Sequence, residues 1–270
     1  MGEAYDPTLR LPRILCLHGG GTNARIFRIQ CRQIAEHLRA EYRLVFVEAP
    51  FPSEAGPDVV RVFAGSGPFK RWLRFGPSHP ELASHQAVAR LDQAVQAAVA
   101  EDDERGGSGE WTALLGFSQG AKLCASLLYR QQNQAAEGGG GGGGGLPQFR
   151  FGVLIAGRGP LVSLEPARAE NESLPSAADL SSMKEKEPRG DHVLTIPTIH
   201  MHGLKDPGLE EHRRLCNEYC HPGTRSLIVW DAGHRLPVRT DDVIPLVEAI
   251  RRLARETAAT NQKVTFQAIY

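Results

Sequence analysis

The pentapeptide Gly116-Phe117-Ser118-Gln119-Gly120 sets a hydroxyl between two glycines in the pattern G-x-S-x-G, with an apolar run before it and a helical pattern after it. A serine in such a strand-to-helix turn is held out at the end of a sheet, and the helix that follows aims its first N–H groups at any anion beside it. The chemistry this suggests is attack on a carbonyl carbon. A hydroxyl attacks poorly until a base takes its proton, and the base needs an acid to fix its tautomer. Two downstream residues have the right type and place. Asp206 closes His202-Gly203-Leu204-Lys205-Asp206, and His234 closes Asp231-Ala232-Gly233-His234, each just beyond an apolar run. Asp231 is the competing acid. It lies only three residues before His234 on the same loop, so Asp206 is preferred. An oxyanion developing on the substrate needs backbone donors. The amide of Gln119 is one, and the loop His18-Gly19-Gly20-Gly21 offers the other, with Gly20 favoured over Gly21. His18 reads as a structural residue that holds this loop.

Elements must deliver those residues to one place, and the apolar patterning supplies them. Strands are expected at Arg13 to Leu17, Leu44 to Val47, Thr112 to Leu115, Phe151 to Ile155, Ile196 to Met201 and Leu227 to Trp230. Helical spacing falls between them: Phe27, Cys31, Ile34 and Leu38; then Val88, Leu91, Val95 and Val99 in a helix from Ser84 to Ala100; then a helix to about Gln132 and a last one from Asp241 to Arg255. Strand and helix in alternation predict an α/β fold with a mostly parallel central sheet and helices on both faces. One domain over residues 1–270 is expected, with lid-like insertions at about 50–82 and 158–192. The first insertion is rich in proline and carries Phe69, Trp72 and Phe75, which are candidate substrate contacts. A glycine-rich flexible loop is expected at 137–147 and a loose tail at about 257–270.

Composition narrows the function class. The chain has 270 residues, with 31 Lys+Arg against 31 Asp+Glu, and this balance argues against a non-specific nucleic-acid partner. No stretch approaches the ~20 apolar residues of a membrane span. Of the 29 glycines, eight form the run Gly138 to Gly145, followed by Leu146-Pro147 and not by the Lys and Ser/Thr of a phosphate loop. Five cysteines, several within apolar runs, read as reduced and buried thiols. The first residues are acidic and lack a signal-peptide core, so a cytoplasmic protein is expected. Cys216, Cys220 and His221 lie at helical spacing and His200 and His202 alternate on a strand, but no second pair stands at ligand spacing. No metal and no cofactor are expected.

These motifs together resemble the α/β-hydrolase superfamily, and within it the fungal and yeast family of serine hydrolases. The resemblance rests on Ile14-Leu15-Cys16-Leu17-His18-Gly19 with Asn23 and Ile26-Phe27, on Glu48-Ala49-Pro50 and Trp72, on Gly116-Phe117-Ser118-Gln119-Gly120-Ala121, on Ile199-His200-Met201-His202-Gly203 with Asp206, and on Gly233-His234. It spans residues 11 to about 255. The triple glycine after His18, the polyglycine run and the charged stretch at 184–187 depart from it. That family includes polyketide-releasing fungal thioesterases and a mammalian ovarian-cancer-associated serine hydrolase. The resemblance implies a serine esterase or thioesterase with Ser118, His234 and Asp206 as its triad. Its substrate would be an ester or thioester of a hydrophobic acyl chain, held on an acyl-carrier protein in secondary metabolism. A small-molecule carboxylesterase is the near alternative, and an idle hydrolase-fold binding module is the alternative of a different class.

Overall fold

Six short apolar runs pair side by side, all in parallel: β1 (Arg13–Leu17), β2 (Arg43–Val47), β5 (Trp111–Phe117), β6 (Phe151–Ile155), β7 (Thr198–Gly203) and β8 (Arg225–Trp230). Their order across the sheet is β2-β1-β5-β6-β7-β8. The computed structural model describes residues 6–137, 145–165, 174–180 and 192–267, the last eight by backbone alone.

Strand β1 shows why the sheet is central: all five of its residues are buried, as a strand covered on both faces requires. Leu15 and Leu17 point into one core with Leu114 and Leu154, while Ile14 and Cys16 point into the other with Ala113, Leu115 and Val153. The first core is closed by α4 (Ser84–Glu104), α5 (Gln119–Ala136) and α6 (Leu209–Tyr219), through Leu91, Leu123 and Leu215 among others. The second is closed by α1 (Ala24–Gln30), α2 (Arg32–Leu38) and α7 (Thr240–Gln267), through Phe27, Ile34 and Val247. This is the α/β architecture expected, with helices on both faces.

Several boundaries differ from expectation, each for a local reason. The pattern from Phe27 to Leu38 is two helices that meet at Cys31, where ψ is 3°. The bonds Cys31 N–H to Phe27 O and Ala35 N–H to Cys31 O carry the ladder across, so one apolar face survives the bend. Helix α4 runs through the acidic cluster to Glu104 because Asp102 is buried and accepts from Arg43 Nε at 2.8 Å and Arg13 at 3.2 Å. Strand β7 begins at Thr198 because Pro197, just before it, has no N–H for the ladder. Helix α7 continues to Gln267 through the expected tail. Between 257 and 267 its Ala, Gln and Lys residues favour helix, and neither Gly nor Pro interrupts that stretch.

The first insertion forms its own small unit. Strands β3 (Phe51–Ser53) and β4 (Phe69–Arg71) pair antiparallel, with α3 (Pro57–Phe63) between them in sequence. In the second insertion, Leu161, Val162, Leu164, Leu174 and Ala177 are buried, and Ser163 bridges to Ser176. The charged stretch at 184–187 and Gly138 to Gly144 of the glycine loop lie outside the described residues. No helix among the described residues is long and apolar enough to cross a membrane.

Candidate active site

Strand order reverses between β1 and β5, which lie side by side although the chain visits β2, β3 and β4 in between. In open parallel sheets a crevice forms at the carboxyl ends of the strands at such a point. Here that crevice holds the glycine loop after β1 and Ser118 after β5.

Ser118 sits at φ 53°, ψ −115°, a region an L-residue occupies only when its surroundings force it there. Its N–H donates to Ile155 O at 2.8 Å, and its carbonyl accepts from Lys122 N–H at 3.1 Å. The flanking glycines are required by space: a Cβ on Gly120 would stand 2.1 Å from Leu17 O, and one on Gly116 would stand 2.5 Å from Ala121 N. The turn therefore exists only because backbone from β1 and α5 passes where side chains would otherwise be.

Asp206 and His234 arrive from the ends of β7 and β8. His234 Nδ1 lies 2.7 Å from Asp206 Oδ2, and His234 Nε2 lies 3.0 Å from Ser118 Oγ. The Asp206 side chain is fully buried. Burial pushes its carboxyl up, but the Gly208 N–H on Oδ1 and the nearby imidazoles of His234 and His212 outweigh that and hold it below the usual carboxylate value. An ionised carboxylate only accepts, so Nδ1 of His234 carries the proton and Nε2 is left to accept from Ser118 Oγ–H. The arrangement can pass a proton from the hydroxyl to the imidazole. The competing acid, Asp231, is exposed and paired with Lys205 Nζ at 2.7 Å.

The glycine loop resolves into assigned and free donors. Gly21 N–H donates to Lys70 O at 2.9 Å, which corrects its candidacy as an oxyanion donor: β4 takes that amide. Gly20 N–H and Gln119 N–H find no acceptor among the described residues. His18 is buried, and its Nε2 accepts from Ala49 N–H at 3.1 Å, so Nδ1 donates to Gly19 O at 2.7 Å.

Of the three aromatic candidates, Trp72 is corrected. It is fully buried, its indole N–H donates to His18 O at 2.7 Å, and its ring packs on His18 at 5.1 Å. It holds the glycine loop from beneath and offers no surface to a ligand. Phe75 is 43% exposed and stacks edge-on to His79, while Phe69 is half-buried on β4. Cys216 and Cys220 are buried, and burial pushes the Cys220 thiol up to about 12.

Two features escaped sequence reasoning. The side chain of Gln119 accepts from Trp72 N–H at 2.7 Å and Leu73 N–H at 3.1 Å, and its Nε2 donates to Leu73 O at 3.0 Å. It clamps the first insertion to the Ser118 turn, and nothing in the motif signals this. His212 lies on the buried stripe of α6 with Leu215, Cys216 and Tyr219, its Nε2 3.7 Å from Asp206 Oδ2. A histidine on an apolar helix stripe was the available signal.

Residues 8–245 match the family model described as serine hydrolase (FSH1). The chain is 49% identical over 265 residues to an esterase of Monascus ruber, Esterase pigG, covering 96% of this chain and 97% of that one. It is 50% identical over 256 residues to Esterase claE of Penicillium crustosum, covering 93% and 96%. Among solved structures it is similar to acyl-protein thioesterase 2 of Zea mays, with a TM-score of 0.50 and 16% identity over 93% of this chain and 97% of that one.

Proposed function

Because the chain belongs to the serine hydrolase (FSH1) family, we propose that Ser118 is its nucleophile, His234 its general base and Asp206 the carboxylate that orients the base. The observation that supports this best is the continuous chain of contacts from Asp206 through His234 to Ser118, at 2.7 and 3.0 Å. Ser118 Oγ attacks the substrate carbonyl as His234 Nε2 takes its proton. The amides of Gly20 and Gln119 receive the oxyanion, since both are free to donate. His234 returns the proton to the leaving alcohol or thiol, and water then releases the acid from the acyl-enzyme by the same steps reversed.

The substrate reading goes further than the esterase activity that the relatives' names carry. The likeness of the motifs to polyketide-releasing thioesterases supports a hydrophobic acyl chain on a carrier protein, in secondary metabolism. Residues 50–82, tied to the site by Gln119 and Asn23, would form a lid or cleft wall, with Phe69 and Phe75 facing the acyl group. Asn23 links the two by donating to Ser66 O at 2.8 Å and Pro68 O at 3.0 Å.

A fluorophosphonate probe should label the folded protein at Ser118 and fail on Ser118→Ala. Absence of a wild-type adduct overturns the assignment and favours a binding module. Acyl thioesters and p-nitrophenyl esters of graded chain length then separate the two substrate readings. Turnover that rises with chain length and favours thioesters supports carrier release, and a preference for short esters supports a carboxylesterase.

A further inference from the structure

Beside Asp206 the fold buries more imidazole than the proton relay uses. His200, His202, His212 and His234 follow one another with ring centroids 5.8, 5.6 and 6.1 Å apart. His212 is the anomaly among them. Its side chain is fully buried, and neither ring nitrogen has a hydrogen-bond partner among the described residues. An unmet buried polar group destabilises a fold, and native structures seldom retain one without a use.

We propose that Asp206, His212 and His234 form a divalent-metal site that takes Zn2+ and thereby switches the nucleophile off. The donors are one carboxylate and two imidazoles, a set that Zn2+ accepts with one position left for water or another small ligand. Their ligand atoms all lie within 4.8 Å of one another. Tetrahedral Zn2+ with bonds of about 2.0–2.1 Å sets its ligands about 3.3 Å apart. The contacts of 2.7 Å from His234 Nδ1 to Asp206 Oδ2 and 3.7 Å from His212 Nε2 to the same oxygen bracket that spacing. One must widen by about 0.6 Å and the other close by about 0.4 Å. The Gly208 N–H on Asp206 Oδ1 fixes the carboxylate from behind, as outer hydrogen bonds do at metal sites. Burial also pushes His212 down to about 4, with the Asp206 carboxylate opposing, so at neutral pH its lone pair is free.

Binding changes the tautomer of His234. The metal takes the lone pair at Nδ1, and the proton there moves to Nε2, so the imidazole stays neutral and no proton is lost. An Nε2 that carries hydrogen cannot accept one from Ser118 Oγ. Loss of activity rests on the triad reading above; metal binding itself does not.

Two measurements keep these apart. Titration with Co2+ in place of Zn2+ should give the intense visible bands of a four-coordinate site, absent in both His212→Phe and His212→Asn. Buffered Zn2+ should inhibit ester hydrolysis, and the half-inhibiting concentration should rise by more than about 100-fold in either variant, since losing a ligand exceeds the 10–100-fold cost of outer-shell changes. Absence of Co2+ bands in the wild type overturns the site, as does equal Zn2+ inhibition of wild type and variants. Should neither variant fold, X-ray absorption of the wild-type Zn2+ complex decides. Nitrogen and oxygen neighbours at about 2.0–2.2 Å support the site, and sulfur neighbours place the metal elsewhere. A protein that binds Co2+ yet hydrolyses no ester keeps the metal site and loses the triad.

Discussion

The carboxyl edge of the sheet divides into two halves built from different materials. The half over β1 and β5 is made of backbone: the Gly20 and Gln119 amides, the Ser118 turn, and glycines where other chain passes within 2.1–2.5 Å of a would-be Cβ. The half over β7 and β8 is made of side chains that titrate: Asp206, His202, His212 and His234, with His200 behind them. The first half carries partial charges that no change of pH removes, and it fails when atoms are added. The second carries charges that can be neutralised, displaced or metallated, and it fails when protons or ions are added. On the proposed reading, the oxyanion donors and the acid–base groups thus sit on separate strands.

The sharpest break of that comparison is Asp206→Asn. An amide can donate to His234 Nδ1 and favour the wrong tautomer, so kcat should fall about 10⁴-fold. Asp231→Asn, whose carboxylate pairs with Lys205 in solvent, should change it less than about threefold. Equal losses in both would overturn the division of labour. Steady-state kinetics on one ester substrate settles it.

Acid should strike the side-chain half next. Burial pushes His200 down to about 3 and His202 and His212 to about 4, against 6.5 when unfolded. A group with a depressed folded value contributes stability that is full above 6.5 and drains away as pH falls toward the folded value. From pH 7 to pH 5 a single such histidine costs about 2 kcal/mol, and the three act in the same direction. Urea midpoints should fall across that range, and a flat profile would mean these imidazoles are hydrated. Adding atoms tests the other half: Gly120→Ala should cost about 3 kcal/mol and lower Tm by about 10 °C, read by calorimetry at pH 7. The smallest effect is expected from Gln119→Ala, which keeps the amide and releases the clamp on Trp72 and Leu73. kcat should fall about 10-fold, less than the 10²–10³ that follows loss of an oxyanion donor, with Tm little changed.

The backbone half was the more legible in sequence, because its glycines and serine fall within short windows of fixed spacing. Strand cores such as Ile14 to Leu17 and Phe151 to Ile155 were legible for the same reason: a strand buried on both faces is a plain apolar run. The exclusion of Gly21 was not legible. It depends on Lys70, far along the chain, and only the pairing of loop with β4 reveals which amide is taken. Trp72 shows the same limit from another side, since an aromatic residue in a proline-rich insertion reads equally well as anchor or as contact. The length of α4 depended on Arg13 and Arg43 reaching Asp102, and such long-range ion pairs leave no local pattern. His212 was visible as a residue and invisible as a neighbour of Asp206.

The left-handed backbone at Ser118 also limits what this scaffold can become. A β-branched side chain is a steric outlier at positive φ, so threonine is closed to this position. Cysteine, unbranched at Cβ, fits the same turn. With Ser118 as the proposed nucleophile, exchange of the attacking atom is therefore open in one chemical direction only, toward a thiol beside His234. The route by which descendants of this fold could change their nucleophile is set by one dihedral angle.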